Sequence, residues 1–390
     1  MLTDNVSAAI QSVLSSQQAY CKFLSANDSG ATGGHQSGIL ISMTAKDMLF
    51  TQNLDNENIL KRTVMIQWQN GSQTESVFTY YRSKKELRIT KFGRDFPYLN
   101  SEQTGDLFVF TRQDFDHYSA FFLENEEDIE QFLIAFDIST TETNRLINTQ
   151  NDTHETQEQI AFQEFINSLD VDFPSSWEMS STARTIQNRI YNKIELIQTN
   201  PDQKIIEWTK TEYALFRAIE QSRYGQKIAQ GFTSVSTFIS MANVVLNRRK
   251  NRAGKSLEHH LAAVFDGNQI LYDKQVVTEA NKKPDFIFPS GADYHNPAFP
   301  TEKLILLAAK TTCKDRWRQV LNEADRLRGK LKYLCTLQQG ISPSQMDQMK
   351  RENIILVVPR PYITLYPKDR QERIWSISKF IDFVREVEGR

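Results

Sequence analysis

The sequence predicts a two-domain α+β protein, a β-rich N-terminal unit followed by an α/β unit, on three observations. A chain of 390 residues is too long for one ordinary domain and suits two. Charge is split along it: residues 1–170 hold 12 Lys and Arg against 24 Asp and Glu, and residues 171–390 hold 34 against 24, so a net charge of −2 conceals an acidic half and a basic half. The patterning also changes, from short alternating segments between turn residues to strands that alternate with helices. No apolar run approaches the roughly 18 residues that span a bilayer, and the N-terminus lacks the basic-then-apolar layout of a secretory signal. No membrane association and a cytoplasmic location are therefore expected. Cys21, Cys313 and Cys335 are too widely spaced for a zinc motif or a disulfide framework, so reduced thiols are expected.

Residues 5–24 are expected as a helix, because Val6, Ile10, Val13 and Leu14 recur at helical spacing. The following LSANDSGATGGHQSG, residues 24–38, is rich in turn residues and discourages regular structure. Short strands are expected near 38–43, 63–69, 77–81, 87–92 and 107–111, making a small barrel or sandwich. Within it Arg82, Lys84, Lys85, Arg88, Lys91 and Arg94 interleave with Tyr80, Tyr81 and Phe92. That cluster reads either as a phosphate-contacting edge or as a solvated hairpin. An acidic helix over 126–136 closes the domain, and the polar stretch 139–159 reads as a linker.

The second unit opens with helices expected over 184–198, 204–222, 233–247 and 256–265. The basic run Arg248, Arg249, Lys250 and Arg252 is placed to touch phosphates. The adjoining GKS is no phosphate-binding loop, since Arg249 stands where that loop requires glycine. Strands near 270–277, 284–288, 304–311, 332–337 and 354–359 alternate with helices near 315–331, 344–352 and 374–387, the pattern of a sheet covered on both faces. The excess of Lys and Arg in this half suits a polyanion, of which nucleic acid is the commonest.

The chemistry concentrates between Pro284 and Glu323. Asp285 opens an apolar strand, Lys310 closes a second, and Glu323 follows on the chain behind it. Carboxylates that hold Mg²⁺ with retained waters, and a lysine beside them, are what phosphodiester hydrolysis requires. The usual layout places an acid two residues before the lysine, but here Ala308-Ala309-Lys310 stands in that place. On the helix expected over 315–331, Arg316 and Glu323 lie seven residues apart and within about 20° of one face, so Glu323 is expected to replace the missing acid. Glu258 is a fourth candidate. Lys314-Asp315-Arg316 reads either as a head for G·C pairs, with Lys and Arg donating to guanine and Asp accepting from cytosine, or as a helix start with alternating surface charges. His259 and His260 are adjacent and no GxSxG turn exists, which leaves a Ser/His hydrolase without support.

Four stretches together, LSANDSGATGGHQSG, NRRKNRAGKSLE, EANKKPDFIFPSGADYH and AAKTTCKDRWRQVLNEAD, resemble the type II restriction endonucleases of the EcoRII kind, the type IIE class. The resemblance spans nearly the whole chain and is weakest in the linker and at the C-terminus. It implies an N-terminal effector domain, residues 1–138, built as a DNA-binding pseudobarrel, a linker over 139–175 and a catalytic domain over 176–390 with the restriction-endonuclease-like PD-(D/E)xK fold. It further implies a homodimer that cleaves double-stranded DNA with Mg²⁺, a target of CC and GG around a central pair such as CCWGG, and a cognate DNA methyltransferase that protects it. The effector would bind an additional target copy and control cleavage by covering the catalytic cleft. The family's permuted catalytic site falls on Glu258, Asp285, Lys310 and Glu323, with Asp285 and Glu323 holding metal. Its G·C-reading triplet falls on Lys314, Asp315 and Arg316. Its flipped bases stack on an arginine and an aromatic; the aromatic corresponds to Tyr213, and Thr209 stands where the arginine is expected. In the effector domain His35, Arg82, Lys84, Glu86 and Arg88 match DNA-contacting positions, and Leu40 stands in place of a tyrosine. The alternative reading is a DNA-binding regulator whose nuclease centre has decayed.

Overall fold

In a computed structural model, residues 4–31, 38–51, 54, 58–93, 96–147 and 157–389 are described. His35 and Arg94 lie outside the described residues. The N-terminal unit is one sheet of eight strands in the order β2-β5-β4-β3-β7-β6-β1-β8. These are β1 (Gln18–Phe23), β2 (Ile39–Ile41), β3 (Ile59–Trp68), β4 (Gln73–Tyr81), β5 (Glu86–Thr90), β6 (Leu107–Arg112), β7 (His117–Leu123) and β8 (Arg145–Ile147). Every pairing is antiparallel except β3 with β7. Curled into a half-open barrel, the sheet encloses an aromatic core of Trp68, Phe78, Phe108, Phe110, Tyr118 and Phe122. Its outer face carries the helices Asp4–Ser15 and Glu126–Ala135 over Val109, Phe121 and Leu123.

Two expectations change here. The helix expected over 5–24 stops at Ser15, where two serines turn the chain, and residues 18–23 become β1, paired with β6 from Gln18 against Arg112 to Phe23 against Leu107. Strand pairing across the barrel overrides the local helical spacing. The stretch read as a linker also contributes β8, which extends the sheet beside β1, and the helix Gln157–Ser168.

The C-terminal unit is a five-stranded sheet, β13-β12-β11-β10-β9, formed by β9 (Asp273–Lys274), β10 (Phe286–Phe288), β11 (Ile305–Lys310), β12 (Lys332–Thr336) and β13 (Ile354–Val357). β11, β12 and β13 run parallel, and β9 and β10 are antiparallel. Alternate residues of the central strands bury on opposite sides, Leu307 and Ala309 in one core and Leu306 and Ala308 in the other. One core is closed by the long helix Val235–Gly267, by Pro201–Gln230 and by Ile377–Glu388. The long helix runs unbroken through Gly254-Lys255-Ser256, consistent with the exclusion of a phosphate-binding loop there.

The helix expected over 315–331 is replaced by a short 3₁₀ segment, Arg316–Asn322, and a second turn, Asp325–Leu327. Its two buried side chains, Trp317 and Val320, are three residues apart, which suits three residues per turn. Buried Lys332 then removes the carbonyls an α-helix would use, its Nζ donating to Val320 O at 3.2 Å, Leu321 O at 2.7 Å and Glu323 O at 2.5 Å. Glu323 is therefore extended (φ −82°, ψ 138°), on a loop and not on a helical face shared with Arg316.

The two units meet closely. Gly105 has φ +91°, and a Cβ there would lie 2.2 Å from Gly340 O, so the backbones approach at a distance only glycine permits.

Candidate active site

The antiparallel pair β10 and β11 brings Asp285, just before β10, and Lys310, the last residue of β11, together at one end of these strands. Asp285 Oδ2 accepts from Ala309 N at 2.8 Å and from Lys310 Nζ at 3.3 Å. The acid of the usual layout would fall on Ala308, which is fully buried in the core, so a carboxylate there would be desolvated. Glu258 projects from the long helix, paired with Lys255 at 2.9 Å. Burial first, then the negative charge of Asp285, raises its pKa above the usual carboxylate value. The same two causes push Glu323 up to about 7. Glu323 Oε2 is buried without a hydrogen-bond partner.

Glu258 and Glu323, both raised by the charge of Asp285, and Asp285 itself are oxygen donors of the kind a hard divalent cation takes, and Glu323 has an orphaned oxygen. As they stand, no three His, Cys, Asp or Glu among the described residues are gathered closely enough to hold a metal ion. Gln275, which the sequence reading did not single out, lies between two of the acids. Its Nε2 donates to Asp285 Oδ1 at 3.1 Å and lies 3.5 Å from Glu258 Oε2.

The triplet Lys314-Asp315-Arg316 is engaged by the N-terminal unit. Lys314 is buried in an ion pair with Asp106. Glu126 Oε2 accepts from Asp315 N at 2.7 Å and Arg316 N at 2.8 Å, while Asp315 Oδ2 accepts from Glu126 N at 3.1 Å. Each acid thus satisfies free amides at the start of the other's helical segment, where an anion is favoured. Arg316 also pairs with Glu126 Oε1 at 3.2 Å and with Glu130. Farther along, Arg252 pairs with Asp137 at 2.8 Å and Arg217 with Glu142 at 2.8 Å, and Arg249 donates to the carbonyls of Ile134 and Ala135. The acidic and basic halves seen in the sequence thus meet here, Asp106, Glu126, Glu130, Asp137 and Glu142 of the first pairing with Lys314, Arg316, Arg252 and Arg217 of the second.

Arg252 lies 3.6 Å from the centroid of the buried Tyr213 ring and 4.2 Å from that of Phe216. Thr209 is buried, its hydroxyl donating to Ile205 O at 2.8 Å. In the barrel, Arg82 and Lys84 are exposed at the β4–β5 turn, and Glu86 and Arg88 pair at 3.3 Å on β5.

Comparison with known proteins gives the family. The family model described as EcoRII C terminal matches residues 216–381, and that described as restriction endonuclease EcoRII, N-terminal matches residues 13–141. The chain is 34% identical over 380 residues to the type II restriction enzyme EcoRII of Escherichia coli, covering 93% of this chain and 92% of that one. It is 28% identical over 117 residues to the type II restriction enzyme SsoII of Shigella sonnei, covering 28% and 37% of the two chains. Among solved structures, metal-depleted Ecl18kI in complex with uncleaved, modified DNA matches with a TM-score of 0.46 and 19% identity, over 59% of this chain and 83% of that one. With both domain families present in order and a relative matched over nearly its full length, the chain belongs to the EcoRII family of type II restriction endonucleases, DNA-binding site-specific deoxyribonucleases.

Proposed function

We propose that this chain is a Mg²⁺-dependent endonuclease of a restriction-modification system, held closed by its own N-terminal domain. The observation that carries the autoinhibited reading is the occupation of Lys314, Asp315 and Arg316 by Asp106, Glu126 and Glu130. Side chains that donate to guanine and accept from cytosine cannot do so while paired with protein. Binding of a further duplex by the barrel, through Arg82 and Lys84 of the β4–β5 turn with Glu86 and Arg88 of β5 beside them and with His35 as a further candidate, supplies the energy to break these contacts. The target is of the type CC, central pair, GG, as in CCWGG, and a cognate methyltransferase protects it in the cytoplasm.

Asp285 and Glu323 hold the metal and Glu258 assists. The metal, when bound, lowers the pKa of water and neutralises charge on the phosphate. Lys310, 3.3 Å from Asp285, orients the attacking water and stabilises the charge that develops on the phosphoryl oxygens. Arg252 stacks on Tyr213 and, once Asp137 withdraws, offers its guanidinium to the DNA. The test is plasmid cleavage with Mg²⁺: Asp285→Ala and Lys310→Ala should bind target DNA but not cut it, and EDTA should stop the parent. Normal cutting by either variant refutes the assignment, and failure of the parent to cut any target favours a regulator with a decayed centre.

The homodimer forms through the hairpin of the helices Pro201–Gln230 and Val235–Gly267. Val235, Phe238, Ile239 and Leu246 share one side of the second helix and are 74, 53, 50 and 43% exposed. Such a stripe on a protruding hairpin suits a second copy in a four-helix arrangement.

A further inference from the structure

We propose that Gln275 is a positioning residue for the metal site, holding Asp285 and Glu258 in register before the cation arrives; this rests on the reading of those acids as the metal-binding centre. Gln275 has a left-handed backbone (φ 54°), a conformation that side chains other than glycine, asparagine and aspartate rarely adopt. That geometry comes in the loop between β9 and β10, one residue after the end of β9. Its side chain reaches the space between the two acids, with Nε2 3.1 Å from Asp285 Oδ1 and 3.5 Å from Glu258 Oε2.

Both neighbours are carboxylates that only accept, so the amide must present its nitrogen to them. A neutral donor between two acids offsets part of their repulsion without adding a charge that would have to be expelled. The two carboxylates therefore stay aimed at a common space, where an entering cation meets the amide dipole on the Asp285 side and the Lys255 ammonium, 2.9 and 3.0 Å from the Glu258 oxygens, on the other. Lys310, on Asp285 Oδ2, leaves Oδ1 to the amide, so the two groups divide the carboxylate between them. Rotated by half a turn about its last bond, the same amide presents its carbonyl oxygen to whatever donor or cation occupies that space.

The test uses the full chain without DNA and measures Mn²⁺ binding by calorimetry and thermal stability in EDTA. Gln275→Asn tolerates the left-handed backbone and keeps the amide, but it is shorter by one methylene, about 1.5 Å, and loses both contacts. It should weaken Mn²⁺ binding roughly fivefold to tenfold with stability in EDTA nearly unchanged, about 1–1.4 kcal/mol of binding free energy. Gln275→Glu keeps the length and adds a negative charge. It should melt at lower temperature in EDTA and recover on adding Mn²⁺. Parental Mn²⁺ affinity in Gln275→Asn, or a Gln275→Glu chain no less stable in EDTA, overturns the proposal. Asp285→Ala separates the two levels of argument: if the parent's Mn²⁺ binding survives that change, the acids are not the metal site, and this inference falls with that reading rather than on its own.

Discussion

Replacing Glu126 by alanine tests the closed state at its most connected point. Its buried carboxylate accepts from Asp315 N, Arg316 N, Thr312 Oγ1 at 3.0 Å and Arg316 Nε at 3.2 Å. Removing one partner of a buried, hydrogen-bonded charge pair costs about 3–5 kcal/mol, because the remaining donors stay desolvated and unsatisfied. In the open state water reaches both surfaces, so the cost falls on closure alone. At about 1.4 kcal/mol per tenfold, the closed-to-open ratio drops by roughly two to three and a half orders of magnitude. The assay is initial-rate cleavage of a duplex with a single target copy, with and without a second, uncleavable target duplex. Glu126→Ala should cut the single-copy duplex far faster than the parent and respond little to the second duplex. A variant that folds normally yet is as slow as the parent, and still needs the second duplex, would show that these contacts do not restrain the enzyme.

Further outcomes follow from the same contacts. Gly105→Ala cannot close, since its Cβ would meet Gly340 O at 2.2 Å, and single-copy cleavage should rise as for Glu126→Ala. Burial pushes Asp106 up to about 7 in spite of Lys314. That value lies above the ordinary carboxylate value regained on opening, so its contribution to closure is full below about pH 4 and is lost as pH rises through about 7. Opening should become easier from about pH 5 to pH 7 and level off above that, read as single-copy cleavage relative to cleavage with the second duplex, and Asp106→Asn should flatten that dependence. Lys332→Met leaves the Leu321 and Glu323 carbonyls without their Lys332 donor and Val320 O with Glu323 N as its donor, and should destabilise the domain by about 1–3 kcal/mol, with a melting temperature lower by roughly 2–4 °C per kcal/mol. Cleavage should fall further than stability accounts for, because Glu323 loses its anchor. Phe238→Asp, at a side chain already exposed, should leave folding intact and convert a dimer to a monomer in analytical ultracentrifugation.

Much of the fold was legible because it rests on local patterning. The alternation in Ile59–Trp68, the apolar runs of β11, β12 and β13, and the acid-led Glu126–Ala135 helix each announce themselves within a few residues. What escaped depends on distant partners. Residues 18–23 carry apolar spacing that a helix also satisfies, and only pairing with β6 makes them a strand. The segment after Arg316 has helical composition, and its carbonyls are diverted by the side chain of Lys332, 9 to 12 residues on, a contact that periodicity does not show. At the site, Asp285, Lys310 and Glu258 were visible as charges on apolar elements, whereas Gln275 is one glutamine in a loop with nothing to mark it. The acids that cover Lys314 to Arg316 lie near Asp106 and Glu126, about 190 to 210 residues away in sequence, and the closest hint of them was the charge split between the halves.

The account stands most directly on one comparison: Mg²⁺-dependent cleavage of a single-copy target duplex by the full chain and by residues 157–390. With Asp106, Glu126 and Glu130 removed, Lys314, Asp315 and Arg316 are free to read DNA, and the shortened chain should cut at least as fast as the full one without any second duplex. A shortened chain that is folded and binds DNA but cuts more slowly, or not at all, would mean that the N-terminal domain assists catalysis instead of restraining it.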